Sequence, residues 1–138
     1  MNHSDIIGKW EITRNIEDRL NQKKFELKGE ATFSDNDTLY HYDETGIMKS
    51  EAFQSKAHQD YLWVITSEGW KINFIDGSHF HDLELVNQEQ HVYHKCINDI
   101  YRGEFLLNLP NDIKVLWNVS GPRKDYVSHT YYKKREGK

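Results

Sequence analysis

Residues 70–107, WKINFIDGSHFHDLELVNQEQHVYHKCINDIYRGEFLL, constrain the fold most. They alternate as strands do and are cut at short intervals by turn residues. Asp76-Gly77 is a strong hairpin signal, because both central residues of a type I′ turn need a positive φ. A two-residue loop there pairs Phe74 with His79, Ile72 with His81 and Trp70 with Leu83. A turn over residues 87–90 sets Leu83 opposite His94 and His81 opposite Cys96. A turn at Asn98-Asp99 sets Cys96 opposite Tyr101 and His94 opposite Gly103. Opposed residues share a face and successive residues alternate. One face then carries Trp70, Ile72, Phe74, His79, His81, Leu83, Leu85, Val92, His94, Cys96, Tyr101, Phe105 and Leu107. It is apolar, with a polar island of three histidines, a cysteine and a tyrosine.

The rest of the chain follows the same style. GKWEITRNI places Trp10, Ile12, Arg14 and Ile16 on one face. KFELKGEATFS alternates Phe25, Leu27, Gly29, Ala31 and Phe33 with charged residues, and its mid-strand glycine signals a bend or a close backbone approach. TLYHYDE is a third strand whose inner face the pattern leaves open, and Thr45-Gly46 is read as the turn after it. Residues 55–60 read as a polar interruption before a strand at 61–66. DIKVLWNVS, with Val115, Trp117 and Val119 on one face, and YVSHTYYKK complete the set. About ten short strands joined by hairpin-length connections form a meander, and a meander of this size hides its edges best by closing. The expected fold is all-β, an antiparallel up-and-down barrel of about ten strands, as a single domain over residues 1–138.

Bulk properties narrow the partners. A net charge of −4 argues against non-specific nucleic-acid binding. A single cysteine excludes an internal disulfide. MNHSDIIGKW has no basic segment followed by an apolar one, and no apolar run approaches the roughly 18 residues of a spanning helix. The expected setting is cytoplasmic, with a small-molecule ligand, no nucleic acid, no membrane, and a homodimer as a possible assembly. No cofactor is expected.

Gly8-x-Trp10 at the head of the first strand resembles the opening of the calycin group, the lipocalins and fatty-acid-binding proteins. In those barrels the tryptophan crosses the closed end beside a basic residue from late in the chain. The resemblance implies Arg123 or Lys124 for that role, with Arg135 as the alternative. More widely, GKWEITRNI, KGEATF, FIDGSHFHDLEL, HKCINDIY and WNVSGPRKDYVSHTYY resemble a bacterial domain-of-unknown-function family of this length. That resemblance runs end to end and implies a calycin-like barrel with a shared site, but no activity. The family-like positions are Arg14, His79, His81, His94, Cys96, Asp99, Tyr101, Gly121, Pro122, Arg123, Lys124 and Tyr126. The glycine-rich continuation of the heme-carrying nitrobindins is absent.

Four features bear on function. An arginine directed into a barrel costs several kcal/mol if unpaired, so Arg14 should meet a carboxylate, carbonyl oxygens or an anionic ligand. His79-x-His81 and His94-x-Cys96 direct side chains to one face; in this register the Cβ atoms of His81 and Cys96 are roughly 5 Å apart. Imidazoles and a thiol are zinc-type ligands, making His79, His81, His94 and Cys96 the metal candidates, though no metal is expected. Neutral histidines lining a pocket are the stronger reading. Cys96 as a nucleophile would need a base such as His81 or His94. The turn Gly121-Pro122-Arg123-Lys124 offers an anion clamp at a barrel rim.

The expected function is binding of a small, anionic and partly apolar molecule inside the barrel. Arg14 would hold its charge, with His79, His81, His94, Cys96, Tyr101, Arg123 and Lys124 as polar contacts. Ile72, Phe74 and Phe105 would cover its apolar part. The alternative is an enzyme using the interior His, Cys and Tyr side chains as general acid and base, with or without a metal. The sequence leaves open whether any reaction is catalysed.

Overall fold

The computed structural model describes residues 2–135. A short 3-10 helix, His3–Ile6, precedes ten strands. They are β1 (Gly8–Asp18), β2 (Lys23–Asn36), β3 (Leu39–Lys49), β4 (Gln54–Ile65), β5 (Gly69–Asn73), β6 (His79–Glu84), β7 (Glu89–Cys96), β8 (Asp99–Asn108), β9 (Asp112–Gly121) and β10 (Lys124–Lys134). All belong to one antiparallel sheet in the order β6-β5-β4-β3-β2-β1-β10-β9-β8-β7. The expected all-β, ten-stranded meander is therefore what the chain forms, curled into a nearly closed barrel.

Closure is incomplete between β6 and β7, the two ends of that order. The hairpin expected to join them is not made, so neither Leu83–His94 nor His81–Cys96 is a cross-strand pair. A side chain spans the gap instead. Gln90 Oε1 accepts from the Glu84 amide at 2.7 Å, and Gln90 Nε2 donates to the Glu84 carbonyl at 2.5 Å. The primary amide thus does at one point what a backbone ladder would do along a strand.

Two hairpin registers also differ from expectation. Trp70 faces Leu83 and Ile72 faces His81 as read, but a bulge between Ile72 and Asn73 sets Asn73 opposite His79. The bulge breaks the alternation. His79 consequently turns out to solvent, and Phe80 turns in. Ile97-Asn98 is the β7–β8 turn, so His94 faces Tyr101 and Cys96 faces Asp99. That is a slip of two residues, which keeps Val92 and His94 on the inward side. Cys96, at the end of its strand, is exposed.

Thr45-Gly46 is not a turn. β3 runs through it, and Gly46 pairs with Gly29 of β2. A Cβ on Gly29 would lie 2.0 Å from the Thr45 carbonyl oxygen, so the two backbones approach where the sheet curls. The chain turns instead at residues 50–53, where the Ser50 amide donates to the Phe53 carbonyl at 2.9 Å. The polar residues at 55–60 are not an interruption but the first half of β4.

One end of the barrel is plugged. Trp10 is fully buried and its Nε1 donates to the Ile6 carbonyl at 3.0 Å. The basic residue over it is Lys134, whose Nζ stands 4.7 Å from the indole centre. That ammonium donates to the carbonyls of Asp5 and Ile7 at 3.0 and 2.7 Å. The expectation for Arg123, Lys124 or Arg135 is corrected by strand direction. β10 runs antiparallel to β1, pairing Lys134 with Trp10 and Tyr126 with Asp18. The turn holding Arg123 and Lys124 is at the opposite end, while Arg135 lies outside against Glu30.

Candidate functional site

The barrel encloses a cavity of about 390 Å³ that opens at the end away from Trp10. Asp18, Phe25 and Met48 stand at its mouth, beside the connections of that end. Its walls are largely aromatic. Phe80 stacks on Trp117 with ring centres 5.2 Å apart and planes 12° from parallel. Tyr61, Trp63 and Phe105 continue the wall. Gly103 makes room for this arrangement, because a Cβ there would lie 2.8 Å from both the Trp117 ring and Val92.

Its floor is polar and self-satisfied. Arg14, Tyr42, Glu44, Thr130 and Tyr132 point inward from β1, β3 and β10. Arg14 grips Glu44 with both terminal nitrogens, at 2.7 and 2.8 Å, and donates from Nε to Thr130 Oγ1 at 2.7 Å. Tyr42 donates to Glu44 at 2.5 Å and meets the Tyr132 hydroxyl at 2.8 Å. Burial is the largest single influence on Arg14 and pulls its pKa down, but the bond to Glu44 and the charge interactions with Tyr132, Glu44 and Tyr42 together outweigh it, and the guanidinium stays charged. Burial pushes the hydroxyls of Tyr42 and Tyr132 above the usual tyrosine range, and that of Tyr61 up to about 12.

His81 lines the same cavity, packed against Phe105 and Trp117 at 5.2 and 5.4 Å. Burial lowers its pKa to about 4, so the ring is neutral at physiological pH. Lys124 bonds the Tyr101 hydroxyl at 2.8 Å and pairs with Asp99 at 3.2 Å; the first contact leads in raising its pKa. Its ammonium is 5.4 Å from the Tyr101 ring centre yet close to the hydroxyl, so it sits off the ring's edge rather than over its face.

Of the residues singled out in the sequence, Arg14, Ile72, His81, Tyr101, Phe105 and Tyr126 line the cavity. His94 and Phe74 pack just behind, 5.1 and 4.8 Å from Phe80. His79, Cys96 and Arg123 are exposed, and Lys124 is at the rim. The four metal candidates do not converge. Among the described residues, the group with His, Cys, Asp or Glu ligand atoms mutually within 4.8 Å is Asp43, His58 and Asp60 on the outer wall. There His58 pairs with Asp43 at 2.5 Å and His41 with Asp60 at 3.1 Å.

Sequence reasoning missed Glu44, Tyr42, Phe80 and Tyr132. For β3 a signal existed: Tyr40, Tyr42 and Glu44 share one phase and His41 and Asp43 the other, and the aromatic phase is the buried one. For Phe80 none existed, because a bulge cannot be read from alternation.

A ten-stranded meander with a plugged end and an enclosed cavity is a calycin-like barrel. The chain belongs to the Family of unknown function (DUF6314), whose profile matches residues 6–134. Among solved structures it is similar to the S-type phycobiliprotein lyase CPES from Guillardia theta, with a TM-score of 0.67 and 7% identity. The match covers 99% of this chain and 92% of that one. At that identity the likeness is one of fold. No curated protein matches the sequence.

Proposed function

We propose that the protein binds a small, partly apolar molecule with a planar ring system inside the barrel, its polar end directed to the Arg14–Glu44 cluster. The carrying observation is the cavity itself: about 390 Å³, with stacked aromatic walls and one convergent set of polar groups at its floor. That size lies toward the lower end of ligand pockets, about 300–1,000 Å³. The expected anionic head group has no dedicated counter-charge, because Glu44 already balances Arg14 and Asp99 already pairs Lys124. The floor favours an uncharged hydrogen-bonding end, which can use the guanidinium hydrogens not given to Glu44 and Thr130.

The enzyme reading gains less support. With a pKa of about 4, His81 is a weak base at neutral pH. His79 and Cys96 stand outside the cavity.

The test is native mass spectrometry of protein from its source cells, with tryptophan quenching by added planar probes. A bilin is one such probe, since the barrel of similar fold is that of a phycobiliprotein lyase. Ser128, opposite Trp117 on β10, is the position to fill. We expect quenching by at least one probe in the wild type and its loss in Ser128→Leu. No retained molecule and no quenching, or quenching indifferent to Ser128→Leu, would remove the proposal.

A further inference from the structure

In an antiparallel meander alternate connections fall at the same end. The β1–β2, β3–β4, β5–β6, β7–β8 and β9–β10 connections therefore surround the cavity mouth. Four of them expose a large apolar side chain: Leu20 at 50%, Phe53 at 49%, Ile75 at 49% and Ile97 at 84%. Phe53 leans on the mouth residue Phe25, with ring centres 6.0 Å apart. None of the four is needed for the core.

Ile97 is the most telling. It occupies a left-handed position, φ 57°, in a two-residue turn. Glycine or asparagine suits such a position, and a β-branched residue there is strained. Folding alone disfavours isoleucine on both counts, backbone and exposure.

The strand ends beside these connections add exposed basic side chains. Arg19 is paired with Asp125 and Lys124 with Asp99. Among the described residues, Lys23, Lys24, Lys49, Lys95 and Arg123 are in no ion pair, against Glu17, Asp18, Glu51 and Asp76 in the same loops and the strand ends beside them. This end therefore carries a surplus of one positive charge, in a chain of net charge −4.

We infer that the mouth of the barrel docks on an anionic lipid surface through these loop tips. Separate apolar points on separate loops, interleaved with lysines and an arginine, suit a yielding layer into which each tip sinks alone. The basic side chains then lie at the level of anionic headgroups. Docked this way, the cavity opens directly onto the apolar part of the layer. Among the described residues no helix is long and apolar enough to cross a membrane. Docking through loop tips needs none, and scattered apolar tips leave no long apolar run in the sequence.

The test is co-sedimentation of the full chain with vesicles of phosphatidylcholine alone and of an equal mixture with phosphatidylserine. We expect binding to the mixed vesicles, weakened by salt, and at least about tenfold weaker when Leu20, Phe53 and Ile75 are all changed to serine. Ile97→Asn separates docking from folding. It should raise the melting temperature by relieving the left-handed strain, and lower vesicle binding. No binding to mixed vesicles at low salt would overturn the inference, as would binding indifferent to these variants. Self-association at the mouth, abolished by the same variants without any lipid binding, would also overturn it.

Discussion

Arg14 of β1 and Glu44 of β3 form a two-pronged ion pair inside the barrel, although β2 lies between their strands. Their side chains are only 12% and 3% exposed, so each charge depends on the other. Glu44→Gln keeps the shape and leaves Arg14 unbalanced. We expect a loss of roughly 3 kcal/mol in urea unfolding. The same variant should bind 1-anilinonaphthalene-8-sulfonate more tightly than the wild type, because the guanidinium then lacks an anion. A variant unchanged in both respects would show that this pair does not set the charge of the floor.

Protonation of His81 should make the fold acid-sensitive. Its pKa is about 4 in the folded chain against an ordinary 6.5, owing to burial. As pH falls below 6.5 the unfolded chain takes up this proton and the folded chain does not. Stability contributed by the neutral ring is complete above pH 6.5 and is lost on the way down to about 4. That share amounts to roughly 3 kcal/mol. His81→Leu should flatten the slope of unfolding free energy with pH across this window. Parallel slopes in the two proteins would refute the assignment.

Gly103 is where a single methyl group should matter. The added Cβ of Gly103→Ala would meet the Trp117 ring and Val92 at 2.8 Å. Overpacking of this kind costs about 1–3 kcal/mol. Trp117 should leave its stack on Phe80, shifting its emission and reshaping the cavity. Unaltered emission together with unaltered stability would mean that the ring has room to spare.

The seam gives a dynamic prediction. Gln90→Ala removes both bonds to the Glu84 backbone, and its Nε2 contact to the Asn87 carbonyl at 2.8 Å. Exchange of the Glu84 amide should quicken by at least about tenfold, while amides of the β1–β2 ladder keep their protection. Equal protection at Glu84 would show that the gap is held by packing alone.

Much of this was legible in the chain. Alternation in GKWEITRNI put Arg14 inside, and a buried arginine called for a partner. Asp76-Gly77 marked a reversal, and two of the pairs around it, Trp70–Leu83 and Ile72–His81, are present. The partner itself was not legible. Glu44 is thirty positions away on a strand whose phase was undecided, and the pairing runs across an intervening strand. Strand direction in the curled sheet likewise chose Lys134 for Trp10, a choice that a place late in the chain cannot make.

By itself, the sequence determined that the chain would form short antiparallel strands with one apolar phase each, because a period of two and strong turn residues are local properties. Only the tertiary structure decided which polar side chains would share the interior, where the sheet would stay open and which turns would ring the mouth. Those depend on sheet curvature, a bulge and the meeting of distant strands, all of them relations between segments that a local pattern does not encode.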